Sequence, residues 1–136
     1  MFLFQHRGGY ILKAYLYVGI GGAVGSLLRY FISLITLYFF GNAFPYGTVA
    51  VNLVGAFFLG WFTSHILYQT NPSLARGIGT GMIGSFTTLS TLSVDVLFLW
   101  ENDAIMALFL YVTISMIGGL FFGYAGLKIG HKQVDS

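Results

Sequence analysis

Gly81-Met82-Ile83-Gly84-Ser85-Phe86-Thr87-Thr88-Leu89-Ser90-Thr91-Leu92-Ser93 lies inside an apolar stretch long enough to cross a bilayer. It carries glycines and hydroxyls where a membrane helix ordinarily shows only Leu, Ile and Val. In hydrocarbon every backbone polar group needs a partner, so a helix loosened at Gly81 and Gly84 survives only beside protein, an ion or water. One or two Ser or Thr residues in a membrane helix bond back to their own carbonyls, but six within nine positions, Ser85 to Ser93, exceed that use and point to a polar path. The stretch therefore predicts an all-α membrane protein whose third helix is broken.

The rest of the chain fits this reading. Its 136 residues are 57% hydrophobic and 7% charged, with a mean hydropathy of +0.82, more than a water-soluble core of this size can hide. Crossing about 30 Å of hydrocarbon takes roughly 20 helical residues. That length predicts four spans, near 14–38, 47–68, 78–100 and 104–127, within a single domain over 1–136. The connections Gly41 to Tyr46, Gln69 to Gly77 and Glu101 to Asp103 are short and place sequential helices side by side. The first ten or so residues read as an interfacial arm rather than a cleaved signal peptide.

Arg7, Lys13, Arg76, Lys128 and Lys132 fall on the side that holds both termini, whereas the opposite loops carry only Glu101 and Asp103. The positive-inside rule then puts both termini in the cytoplasm of a multi-pass cytoplasmic-membrane protein. A net charge of +2 from so few groups reflects loop placement, not nucleic-acid binding. With no cysteine, a disulfide framework and a thiolate metal site are excluded, and His6, His65 and His131 are too scattered for a metal cluster. Gly79-Thr80-Gly81-Met82-Ile83-Gly84 fits the dinucleotide-binding spacing, but no strand precedes it and no βαβ unit surrounds it. No nucleophile, base and orienting group form a triad, so no enzyme is expected.

Nineteen glycines are too many for helices that merely face lipid. Gly21 with Gly25, Gly119 with Gly123 and Gly126 with Gly130 stand four apart, a spacing that lets backbones touch within a bundle or between subunits. Four short helices enclose little interior, so a second subunit is expected to wall in the polar run.

Arg29 lies well inside the first span, where it either snorkels to an interface or sets a positive potential at a pore mouth. Asn52, in the second span, either makes an interhelical hydrogen bond or offers its two N–H donors to an anion. Helical spacing puts Thr88, Thr91 and Asp95 on one face, Leu89 and Leu92 on another, and Ser90 and Ser93 between them. Asp95 is the only carboxylate inside a span: a functional group, a vestibule residue or a partner for Arg29. Tyr111, Ser115 and Gly119 share a stripe of the fourth span, with Tyr111 either a donor to an anion or an interfacial anchor.

Three successive motifs resemble those of the Fluc fluoride channels, also called CrcB: Gly21 to Tyr30, Gly47-Thr48 through Asn52, and Gly84 through Ser93. The resemblance covers nearly the whole chain in order. It implies an antiparallel, dual-topology dimer of four-helix subunits with two fluoride pores and a central structural Na+. The sodium ligands would be the backbone carbonyls of Gly84 and Thr87. Asn52, Ser90, Thr91, Tyr111 and Ser115 would line the pore, and Arg29 and Asp95 its vestibule. A small, strongly hydrated anion needs several donors to replace its water, and aromatic ring edges also serve because their quadrupole is positive there.

Two departures from the family pattern stand out. Leu89 and Leu92 occupy the places of two pore phenylalanines. The one-sided charges contrast with the small bias expected of a homodimer inserted both ways. Besides a self-sufficient homodimeric channel, the chain could therefore be the scaffold subunit of a heterodimer with a homologue, its own pore weakened. A third reading, a proton-coupled small multidrug exporter, needs a membrane-buried glutamate; no span contains Glu, and Asp95 would have to serve.

Overall fold

The computed structural model describes residues 2–65 and 71–134. All elements among them are helical: α1 (Phe2–Phe40), α2 (Tyr46–His65), α3 (Pro72–Arg76), a π-helical segment (Gly77–Ile83), α4 (Gly84–Phe86), α5 (Leu89–Glu101) and α6 (Ile105–Val134). Four helical stretches are long and apolar enough to cross a membrane, Gly8–Phe40, Tyr46–Ser64, Pro72–Glu101 and Ile105–Lys132. Their number agrees with expectation; the first, third and fourth extend beyond the expected bounds, and the second is described only as far as His65. Residues 66–70, in the second expected span and the connection after it, lie outside the described residues. The expected N-terminal arm is continuous with α1. The third span begins at Pro72, ahead of the expected start near 78, because Asn71 caps it, accepting from the Ser73 N–H at 3.0 Å, and Pro72 takes the first helical position.

Tight turns join the helices on the opposite side. Gly41 closes α1 with φ +70°, its N–H donating to Leu37 O at 2.9 Å, a left-handed C-cap that glycine adopts without strain. Asn102 and Asp103 close α5, with Asp103 at φ 54°. Lys13, Arg76, Lys128 and Lys132 sit at one end of the bundle, Glu101 and Asp103 at the other.

Glycines set the packing. A Cβ on Gly21 or Gly25 would strike the backbone of Gly77 or Met82, and one on Gly81 would meet Val18. On the other flank, Gly60 lies against Gly123, and Gly126 and Gly130 against the backbone of Phe57 and Trp61. The Gly21/Gly25 and Gly126/Gly130 pairs thus serve contacts within the subunit, joining α1 to the π-helical segment and α6 to α2. Gly119, in contrast, faces open space. Few large side chains are fully buried, Tyr111, Leu99 and Val51 among them. α5 touches the rest of the subunit chiefly through α6.

Candidate functional site

The third helix parts at Thr87-Thr88, a few residues beyond the expected loosening at Gly81 and Gly84. Those two glycines remain helical, Gly81 in the π-helical segment and Gly84 at the start of α4. Thr87 leaves the helix at φ −75°, ψ 155°, and Thr88 follows at φ −150°, ψ 120°. Thr88 then caps α5: its hydroxyl accepts from the Thr91 N–H at 3.2 Å. The same hydroxyl lies 3.0 Å from Thr91 Oγ1 and 3.2 Å from Ser90 Oγ, so three of the six expected hydroxyls form a connected ladder, while Ser85, Thr87 and Ser93 bond to backbone carbonyls.

Asn52 holds the break from α2. Its Oδ1 accepts from the Thr88 N–H at 2.8 Å and its Nδ2 donates to Thr88 O at 3.1 Å. This interhelical bond is the first of the two roles left open by the sequence, and it uses one of the two N–H donors. Thr87 N–H still reaches Ile83 O at 3.1 Å, and Thr87 Oγ1 approaches Gly84 O at 3.4 Å. The Ser85 hydroxyl ties the short α4 to α1, donating to Gly22 O at 2.9 Å.

One α-helical turn beyond Thr91, Asp95 receives the Tyr111 hydroxyl at 3.0 Å. The alternative pairing of Asp95 with Arg29 is not formed: among the described residues Arg29 makes no ion pair. Arg29 instead opens onto a cavity of about 220 Å³ shared with Ser26, Ser33, Thr48, Thr88 and Thr91. Asp95 borders a second cavity of about 410 Å³ with Phe44, Thr48 and Thr91. Thr48 and Thr91 line both. Tyr111 is fully buried, its ring edge-on to Phe44 at 5.8 Å, and so is not an interfacial anchor.

Ser115, one turn further along α6, has a buried hydroxyl with no hydrogen-bond partner. At the third member of that stripe, Gly119, an added Cβ would meet no atom within 4 Å, so this position contributes no wall within the subunit. Leu92 is half-buried, whereas Leu89 is 77% exposed and points away from its own subunit. Gly84 is exposed and Thr87 half-buried.

Two residues were not singled out by sequence reasoning. Thr48 stands four before Asn52 and so shares its helix face, the periodicity that would have found it. Phe44 lies in a loop, where no periodicity operates. No cluster of three His, Cys, Asp or Glu side chains exists among the described residues.

A small helical multi-pass membrane protein with a broken helix and a hydroxyl ladder beside an arginine-bordered cavity belongs to the transporters and channels rather than the enzymes. The chain is a member of the CrcB family: residues 16–127 match the family described as CrcB-like protein, Camphor Resistance (CrcB). Similar relatives include the fluoride-specific ion channel FluC 1 of Bacillus cereus, 42% identical over 85% of this chain and 82% of the relative. FluC 2 of Staphylococcus haemolyticus is 38% identical over 85% of this chain and 95% of its own length. FluC 1 of Desulfitobacterium hafniense is 39% identical over 82% and 96%.

Proposed function

We propose that this protein is a passive, fluoride-selective channel of the cytoplasmic membrane, working as an antiparallel dimer. The observation that carries the reading is the Ser115 hydroxyl, buried without a partner in a chain whose relatives are named fluoride-specific ion channels. An unsatisfied buried hydroxyl costs about 1–3 kcal/mol and is retained where something else, such as a passing anion, bonds to it. Together with the spare N–H of Asn52 and the Thr88-Thr91 ladder it supplies donors that replace fluoride's water. Hydrogen fluoride enters cells as a neutral acid and dissociates, and membrane potential then drives the trapped anion out through a passive pore.

Dimerisation is supported by what the subunit leaves uncovered. Ser90 and Thr91 face outward on a helix held chiefly by α6, a surface that hydrocarbon disfavours and a second copy would shield. A structural sodium ion fits the break. Gly84 O lacks the N–H that a continuous helix would give it, since Thr88 N–H goes to Asn52, and hard cations favour such oxygens. The carbonyls of Gly84 and Thr87 from two copies would hold the ion.

A second reading is favoured by Leu89, an exposed leucine where the family carries a pore phenylalanine: the chain is then the scaffold half of a heterodimer. The exporter reading has no comparable support, because Asp95, its one candidate proton carrier, is engaged by Tyr111. Fluoride efflux from liposomes holding this protein alone, with chloride as control, separates them. Fast fluoride-selective efflux is expected; silence in a folded sample, relieved by Leu89→Phe/Leu92→Phe or by a homologue, establishes the scaffold role. Silence in all three samples would remove the channel proposal.

A further inference from the structure

In an uninterrupted α-helix the Thr88 N–H would donate to Gly84 O, four residues earlier. Here that N–H is taken by Asn52 Oδ1 at 2.8 Å, and Asn52 Nδ2 donates back to Thr88 O at 3.1 Å as a second, dispensable tie. The result is a one-for-one exchange: α2 supplies the acceptor that the helix loses, and the Gly84 carbonyl is released. Thr87 adds only a long side-chain approach to Gly84 O, at 3.4 Å.

We infer that Asn52 is a positioning residue that holds the third helix open and thereby frees the Gly84 carbonyl as an oxygen donor. This deepens the sodium reading given above and rests on it for the ligand, but the break itself is testable without any ion. Thr88 also caps α5, its hydroxyl accepting from the Thr91 N–H at 3.2 Å, but its own N–H is held by Asn52. Neither Thr87 nor Thr88 is proline or glycine, and Thr88 would be free to bond Gly84 if Asn52 Oδ1 were removed. Asp at position 52 keeps an acceptor for the Thr88 N–H, whereas Leu offers none, so the two substitutions separate the acceptor from the side chain's bulk.

The chain contains no cysteine, which allows spin labels at two introduced sites. Labels at Thr80→Cys and Val94→Cys, both exposed, bracket the break; labelled chains diluted in unlabelled protein report the distance within one subunit. The same samples are titrated with sodium chloride against choline chloride, reading dimer fraction. With Asn52→Leu the label distance is expected to move toward the value of a continuous helix, about 21 Å between the two backbone sites. The sodium midpoint for assembly is expected to rise about tenfold or to vanish. Asn52→Asp is expected to keep both wild-type values. Wild-type distance in Asn52→Leu overturns the inference, as does straightening in Asn52→Asp. If Asn52→Leu does not fold, Asn52→Ala and Asn52→Asp are compared on the same two readouts. A label distance that responds to position 52 while wild type shows no sodium dependence would retain the positioning role and reject the sodium site.

Discussion

Gly25→Ala is the sharpest test of how the bundle is held. The added methyl would lie 2.9 Å from the carbonyl carbon of Met82 and closer still to its oxygen and to Ser85 Oγ. Backbone cannot swing aside as a flexible side chain does, so α1 must lift from the third helix. Overpacking of this kind costs about 1–3 kcal/mol. Losing the 2.9 Å bond from Ser85 to Gly22 O adds about 1 kcal/mol. Replacing a helical glycine with alanine returns about 1 kcal/mol, leaving a net loss of about 1–3 kcal/mol. Gly22→Ala is the internal control: no atom lies within 4 Å of its Cβ, so only the propensity gain applies. Both variants are unfolded by titrating SDS into dodecylmaltoside micelles while following the fluorescence of Trp61 and Trp100. Gly25→Ala should unfold at clearly lower SDS than wild type, and Gly22→Ala at equal or higher SDS. Stabilities of the two within about 0.5 kcal/mol of each other would refute the close approach of α1 to Met82 and Ser85.

Removing the orphaned hydroxyl with Ser115→Ala should leave stability unchanged or raised by up to about 1 kcal/mol, while fluoride flux falls; equal flux in liposomes would separate Ser115 from the path. Tyr111→Phe strips Asp95 of its 3.0 Å donor, so stability should drop by about 1.5–3 kcal/mol, measured by the same SDS titration. Asp103→Gly should be neutral or stabilising by up to about 1 kcal/mol, because Asp103 sits at φ 54°, where glycine carries no steric cost.

Much was legible in the sequence because bilayers impose simple rules. The four spans follow from length and hydropathy; the third starts earlier than expected because Asn71-Pro72 caps it, and α1 and α6 simply run beyond the expected ends nearest the termini. The hydroxyl face of Thr88, Thr91 and Asp95 was readable from helical periodicity and appears as a ladder one turn from the Tyr111–Asp95 bond. Asn52 was ambiguous, since an amide inside a span reads the same whether it bonds a helix or an anion. Its distances to Thr88 show that it bonds the third helix, with one N–H left over.

Composition and pattern by themselves fixed a helical membrane protein with a polar interruption in its third span, because apolar length and exposed backbone groups obey local rules. Tertiary structure decided where the interruption falls, which glycines close the subunit and which face open space, and that Asp95 pairs with Tyr111 rather than Arg29. Those outcomes turn on which groups from distant segments come within bonding distance. A helix ladder yields its N–H only when another acceptor stands about 3 Å away, and that proximity is a property of the packed bundle.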